Sequence, residues 1–159
     1  MITHTPKNYI RPFCLVANGV ENEHVITKQS DIFYKDDVCI AFVSSHWWRN
    51  NPGNIIIISR KHYENIYDIP DDTLGYINKI SKQVALAIKK TYKSDGTSLR
   101  QHNEPAGNQE VFHYHLHVFP RYFNDYLYKF DNDKRLTSLE ERRPYVDKLK
   151  KYFSKLNKK

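Results

Sequence analysis

The sequence predicts an α+β fold in which an antiparallel sheet is accompanied by a long central helix and a C-terminal helix. Strand-like segments dominate the first half of the chain, and one long amphipathic segment follows them. The last two strand segments are joined by only a short turn. A short turn favours antiparallel pairing, whereas a parallel α/β protein would alternate strands and helices along the chain.

The first sixty residues are predicted to form mainly strands, after an irregular lead-in over residues 1–12 that contains two prolines. We expect a weak strand at residues 24–28, a hairpin over residues 32–43 and a strand at residues 55–59. Four consecutive isoleucines in the last of these indicate a strand that is buried on both faces. Residues 44–51 are expected to form a polar loop.

One long helix is predicted in the second half of the chain. Apolar residues recur at helical spacing from Leu74 to Ile88, and Asp71 is a plausible N-cap, so the helix should run from Asp71 to about Tyr92. A strand over residues 97–102 and a tight turn over residues 103–108 then lead into a histidine-rich strand.

The composition changes after Tyr122. A loop over residues 125–134 precedes a second helix, for which Ser138 and Glu141 have the spacing of a capping box. Pro144 lacks a backbone donor, so we expect it to kink or restart this helix. The apolar stripe of the helix consists of Tyr145, Leu149, Tyr152, Phe153 and Leu156.

Charge and cysteine content limit the class of protein. The net charge is +7, and residues 125–159 hold eleven Lys/Arg against six Asp/Glu. This basic surface is expected to solubilise the chain, although it would also attract acidic ligands. Two cysteines are too few for a secreted disulfide scaffold, the N-terminus lacks signal-peptide features, and no apolar run could span a membrane. We therefore expect a soluble cytoplasmic protein with no membrane partner.

Three histidines, at positions 113, 115 and 117, alternate along the segment that follows the tight turn. In a strand, successive side chains point to opposite faces, so the three imidazoles share one face. The apolar face is formed by Tyr114, Leu116 and Val118. A helix would scatter the three rings, so the strand is the interpretation that creates a site.

Three interpretations of this histidine face compete. The rings could be structural, they could bind one zinc ion, or they could act in covalent catalysis at phosphorus. Three histidines along one straight strand span about 13 Å, which is too far for bonds of about 2 Å to one metal. In the catalytic interpretation the neutral ring of His115 attacks phosphorus, and its neighbours orient it and bind the phosphate. Loss of rate is then expected below about pH 6.

The segment from His113 to Phe119 resembles the His-x-His-x-His-x-x signature of the histidine-triad (HIT) family of nucleotide hydrolases and transferases. The resemblance extends from about Phe13 to Tyr122. It therefore implies a HIT-like catalytic domain over residues 1–124, with residues 125–159 as a basic helical extension packed on it. It also implies a five-stranded antiparallel sheet, a homodimer, a small nucleotide substrate such as a dinucleoside polyphosphate or phosphoramidate, and no cofactor. Nucleic acid is not an expected partner.

The resemblance also implies roles for individual residues. His115 would accept the nucleotidyl group, His117 would bind phosphate, and the backbone carbonyl of His113 would orient His115. His62 would be the fourth histidine, packed behind this group. The residues expected near the nucleotide are Asn103 (with Gln101 or His102 as alternatives), Asn108, Gln109, Glu110, Ser44 and His62.

The chain departs from the family pattern at several positions. Glu110 stands where Ser or Thr is common, and a carboxylate there would repel phosphate. Ser44 or Ser45 replaces the residue that usually holds the ribose, and Asn54 replaces a frequent histidine. Some members bind zinc through a Cys-x-x-Cys pair, but Ala17 follows Cys14 at that spacing, so no metal site is expected. The alternative function is a non-catalytic nucleotide-binding or adaptor protein of the same fold.

Overall fold

A computed structural model describes residues 2–129 and 133–156 of the chain. It contains three α-helices, α1 (Pro12–Ala17), α2 (Asp71–Tyr92) and α3 (Leu139–Leu156), within the described residues. The strands described are β1 (Ile32–Lys35), β2 (Cys39–Val43), β3 (His46–Trp48), β4 (Ile55–Ser59), β5 (Gly96–Gln101), β6 (His115–Arg121) and β7 (Lys134–Leu136). The predicted α+β class is confirmed.

Five strands form one antiparallel sheet in the order β1-β2-β4-β6-β5. Alternate residues of β4 face two separate clusters, as the predicted two-sided burial requires. Ile55 and Ile57 pack with helices α2 and α3, while Ile56 and Ile58 pack with helix α1. The histidine strand β6 lies beside β4, and the face of the sheet that helix α1 covers is the face that carries the imidazoles.

Helix α3 packs on the main core through Val146, Leu149 and Phe153. The capping box is present, since the Ser138 N–H donates to Glu141 (2.9 Å) and the Glu141 N–H donates to the Ser138 hydroxyl (3.3 Å). The helix continues through Pro144 from Leu139 to Leu156, so the predicted restart is wrong. Pro144 lies close to the start of the helix and removes one backbone hydrogen bond, which packing of the later turns offsets.

Several boundaries differ from the predictions. Residues 24–28 form a turn followed by irregular backbone and not a strand, and the Val25 N–H donates locally to the carbonyl of Asn22. The predicted loop 44–51 contains β3, which pairs with β7 from the C-terminal segment. The N-cap of α2 is Pro70 and not Asp71. No described helix is both long and apolar enough to cross a membrane.

The histidine strand begins at His115, so it does not include His113, which was expected to lie within it. The His113 N–H donates to the carbonyl of Val111 (2.9 Å), and the Tyr114 N–H donates to Tyr63 (2.6 Å), so neither joins the sheet ladder. His113 therefore precedes the strand, although its ring still lies on the same side as that of His115. Of the predicted loop 125–134, residues 130–132 lie outside the described residues, as do residues 157–159 of the extension.

Candidate active site at the histidine strand

A cavity of about 680 Å³ lies on the helix α1 side of the sheet, and we call it the pocket. Its apolar wall comes from helix α1 and the turns after it, and includes Phe13, Val25 and Ile26. Its polar wall comes from the end of β2, from β3 and from the loop before β6. The residues of this polar wall are Ser44, Ser45, His46, Trp48, Asn108, Gln109 and Glu110, and His115 and His117 lie beside them.

His115 is held in one tautomer by its backbone neighbour. Its Nδ1 lies 2.7 Å from the carbonyl oxygen of His113, which can only accept, so Nδ1 carries the proton and Nε2 keeps its lone pair. Burial lowers the pKa of His115 to about 4, although the bond to the His113 carbonyl works in the opposite direction. The ring is therefore neutral at pH 7, as a nucleophile must be.

His117 follows on the same face, with its ring centroid 5.0 Å from that of His115. It stacks on Phe119 and meets the edge of Trp48. Burial lowers the pKa of His117 well below its usual value, and the neighbouring histidines, Arg100 and Lys134 lower it further. Its Nδ1 is buried and has no hydrogen-bond partner among the described residues, so a water molecule or a ligand is needed to satisfy it.

His113 and His62 do not line the pocket. The Nε2–H of His113 donates to the carbonyl of Ser59 (2.8 Å), which leaves its Nδ1 unprotonated. That nitrogen lies 3.4 Å from Cys14 Sγ and 3.4 Å from His62 Nδ1, and the last two atoms are also 3.4 Å apart. These three residues therefore form a second cluster behind the pocket.

The geometry of this second cluster fits a metal ion. Tetrahedral zinc, with bonds of about 2.0–2.1 Å to nitrogen and about 2.3 Å to sulfur, separates its ligand atoms by about 3.3–3.6 Å. The hydrogen bond from His113 to Ser59 is also the kind of second contact that orients a zinc-binding histidine. Ala17 stands where a Cys-x-x-Cys pair would have its second cysteine, so that ligand is missing. Cys14, His62 and His113 nevertheless bring three ligand atoms together.

Gln109 reaches the pocket, but its amide group is already fully bonded. Its Nε2 donates to the carbonyls of Glu64 (2.5 Å) and Val111 (3.1 Å), and its Oε1 accepts from the Glu104 N–H (2.7 Å). The side chain thus braces the loop. Asn108 lines the pocket with a left-handed backbone (φ 66°), which shapes the same loop.

Asn103 is not brought to the pocket. Its Oδ1 accepts from the Ile66 N–H (2.9 Å), and its amide group is paired with Gln101. The alternative position, His102, does line the pocket, and its ring lies 6.2 Å from that of His117. Ser44 also lines the pocket, with its hydroxyl bonded to the backbone of His46.

Two basic residues of the pocket, Arg100 and Lys134, are absent from the predicted site residues, because Arg100 was expected to form surface ion pairs and Lys134 to lie in a loop. Arg100 projects from β5, with its guanidinium 5.3 Å from the Phe119 ring centroid and 6.0 Å from that of Trp48. Lys134 comes from β7 and contacts Glu110. Arg100 stands opposite His117 in the β5–β6 register, so a correct pairing of these strands would have indicated it. No local pattern identifies Lys134.

Comparison with known proteins identifies the family of this chain. A sequence model described as the HIT domain matches residues 26–124. An uncharacterized HIT-like protein of Methanocaldococcus jannaschii is 32% identical over 71% of this chain and 80% of its own. Adenylylsulfatase HINT3 of Arabidopsis thaliana is 29% identical over 64% of this chain and 51% of its own.

A solved structure agrees in fold. The crystal structure of a zinc-bound histidine triad family protein from Mycobacterium smegmatis superimposes with a TM-score of 0.73, covers 92% of this chain and 94% of that chain, and is 21% identical. The domain match spans more than half of the chain and includes all three histidines of the signature. The chain therefore belongs to the histidine-triad (HIT) family.

Proposed function

We propose that this chain is a nucleotide hydrolase or nucleotidyl transferase that acts at an α-phosphorus through His115. The observation that carries the proposal is the state of that ring: it is neutral, it lines the pocket, and its Nδ1–H is fixed by the His113 carbonyl. Its Nε2 is consequently the nucleophilic nitrogen. Membership of a family that includes hydrolases, and the likeness to an adenylylsulfatase, support the same conclusion.

The reaction has two displacements. In the first, the Nε2 lone pair of His115 forms a bond to the α-phosphorus, and the bond from phosphorus to the leaving group breaks, with its electron pair on the leaving group. In the second, a water oxygen bonds to phosphorus, the P–N bond breaks, and its electron pair returns to Nε2 as the water proton passes to solvent. A transferase would use another nucleophile in place of water.

The neighbouring residues would serve these steps. His117, with an unsatisfied ring nitrogen, would bind a phosphate oxygen or its bridging water. The backbone of residues 108–110 would approach the phosphate, since the Gln109 side chain is committed to bracing that loop. His102, and not Asn103, is the polar residue that the geometry favours near the phosphate.

The second cluster has the ligand atoms and spacing for zinc, and the histidine triad family protein from Mycobacterium smegmatis with the same fold is zinc-bound. Cys14, His62 and His113 would hold it, and a bound zinc ion would supply structural cross-linking between helix α1 and the sheet. His113 itself fixes the ring of His115 through its carbonyl. A homodimer, with twice the 19.0 kDa chain mass in solution, and a cytoplasmic location are further parts of the proposal.

A second candidate is a nucleotide-binding protein without catalysis. It is favoured by Glu110, whose carboxylate lines the pocket where an anionic phosphate would enter. Turnover of diadenosine polyphosphates, adenylyl sulfate and adenosine phosphoramidate separates the two candidates. We expect turnover by the wild type and loss of at least a thousandfold in His115→Ala, because the covalent route disappears.

The control for this experiment is His4→Ala, which removes a histidine outside the pocket and should retain activity. Thermal melting should show that both variants are folded. Nucleotide binding without turnover in the wild type would support the binding protein, and unchanged turnover in His115→Ala would exclude the proposed mechanism.

A further inference from the structure

Lys134 reaches the pocket from a part of the chain outside the matched HIT domain, which ends at residue 124. It lies in β7, which pairs antiparallel with β3 so that Lys134 stands opposite Trp48. Trp48 in turn packs against the rings of Phe119 (5.0 Å) and His117 (6.4 Å). Backbone pairing therefore holds Lys134 beside Trp48, whose side chain packs on strand β6.

The ammonium group of Lys134 pairs with the carboxylate of Glu110. The ammonium lies 2.5 Å from both carboxylate oxygens of Glu110. The two side chains differ in solvent exposure: that of Lys134 is 31% exposed and that of Glu110 is 71% exposed. An ion pair so open to solvent is weak, because water screens it and two long side chains must be ordered to form it. Glu110 can turn to solvent at low cost, whereas the backbone pairing of β7 keeps Lys134 at the pocket.

We propose that Lys134 binds the leaving-group phosphates of the substrate, beyond the α-phosphorus, and that Glu110 occupies this lysine until such an anion displaces it. The inference rests on the proposed function. A lysine ammonium provides a compact charge and three donors, which suit a flexible chain of phosphates. The substrate class selected would be dinucleoside polyphosphates, whose leaving group is a charged phosphate chain, over phosphoramidates, whose leaving group is an uncharged amine.

This arrangement also gives Glu110 a function. A carboxylate in an anion-binding pocket is unfavourable in isolation, but the ion pair with Lys134 offsets its charge. A polyphosphate gains the lysine and releases the carboxylate to solvent. Both groups lie close enough to the triad to act on its charge: Lys134 lowers the pKa of His117, and Glu110 opposes the lowering of the pKa of His115.

The test compares two substrates in three variants. Lys134→Met removes the charge but keeps the aliphatic length, and Glu110→Gln releases the lysine. Arg135→Met is the matched control, because Arg135 is the next residue of β7 and its guanidinium pairs with Glu141. The ratio of kcat/KM for diadenosine tetraphosphate to kcat/KM for adenosine phosphoramidate should fall at least tenfold in Lys134→Met, the loss expected for one charge-assisted hydrogen bond. It should rise in Glu110→Gln and stay near the wild-type value in Arg135→Met.

Binding of inorganic triphosphate, followed by calorimetry, provides a readout that needs no turnover. It should weaken at least tenfold in Lys134→Met and strengthen in Glu110→Gln. An unchanged ratio of the two kcat/KM values in Lys134→Met would overturn the inference. If that unchanged ratio came from an equal loss on both substrates, with a lower melting temperature, the ion pair would instead stabilise the fold. If the wild type turned over neither of these substrates nor adenylyl sulfate, the proposed function would fail. Equal triphosphate binding by wild type and Lys134→Met would overturn the Lys134 assignment separately.

Discussion

Acidification provides a quantitative test of His115 as the proposed nucleophile. An exposed histidine titrates near 6.5, which alone would predict loss of rate below about pH 6. Burial instead lowers the pKa of His115 to about 4. At pH 5 a ring with this pKa is roughly 90% neutral, whereas a ring that titrates at 6.5 is roughly 3% neutral. The two cases differ by about thirtyfold in rate at a pH where many enzymes still work.

The measurement is kcat/KM for a diadenosine polyphosphate from pH 4 to pH 8, since kcat/KM reports the free enzyme. We expect a nearly flat profile from pH 8 to pH 5 and a decline only as the pH approaches 4. A limb with an apparent pKa near 6.5, in protein that remains folded, would contradict the burial of His115 or its role as nucleophile.

Folding must be followed in the same samples, because the same burial makes the protein acid-sensitive. His115 has a pKa of about 4 in the folded chain and about 6.5 when unfolded. The unfolded chain therefore binds more protons below pH 6.5, and stability is lost as the pH falls from 6.5 towards 4. At pH 5 the burial of His115 should lower the free energy of unfolding by about 2 kcal/mol. Near-UV circular dichroism identifies the pH at which loss of rate reflects unfolding.

Two further predictions concern groups away from the nucleophile. Asp31→Asn should lower the free energy of unfolding by about 3–5 kcal/mol in urea titrations, because it leaves the buried guanidinium of Arg142 without its carboxylate partner. A decrease below about 1 kcal/mol would contradict this role of the ion pair. Elemental analysis should find one zinc ion per chain in the wild type and much less in Cys14→Ser, because Cys14 supplies the sulfur ligand of its cluster with His62 and His113. Equal zinc content in the two proteins would refute the assignment.

The parts of the fold that were predictable have local signals. The isoleucine run of β4, the helical spacing of α2 and the alternation along β6 depend on neighbours within a few residues. A continuous β-branched run, or a pattern of period two or 3.6, is therefore enough to identify them. His115 and His117 were likewise recognisable, since the strand that presents them is encoded by its own alternation.

The parts that were missed depend on contacts between distant segments. The pairing of β3 with β7, which brings Lys134 to Glu110, joins a segment that reads as a loop to one beyond the family domain. Asn103 has a side-chain amide that could donate to phosphate, but its Oδ1 accepts a hydrogen bond from the Ile66 N–H, which holds the side chain away from the pocket. The cluster at Cys14 similarly forms only when helix α1 packs on the sheet, so spacing along the chain did not indicate it.

The most direct test of the central claim is detection of the covalent intermediate. Wild-type protein is mixed with substrate, quenched within the first turnover in alkaline denaturant, which preserves P–N bonds to histidine, and weighed by intact mass spectrometry. We predict an added mass of one nucleotidyl group, mapped by peptide analysis to His115 and absent from His115→Ala. Turnover by the wild type with no adduct at the earliest times, or an adduct that persists in His115→Ala, would contradict the account.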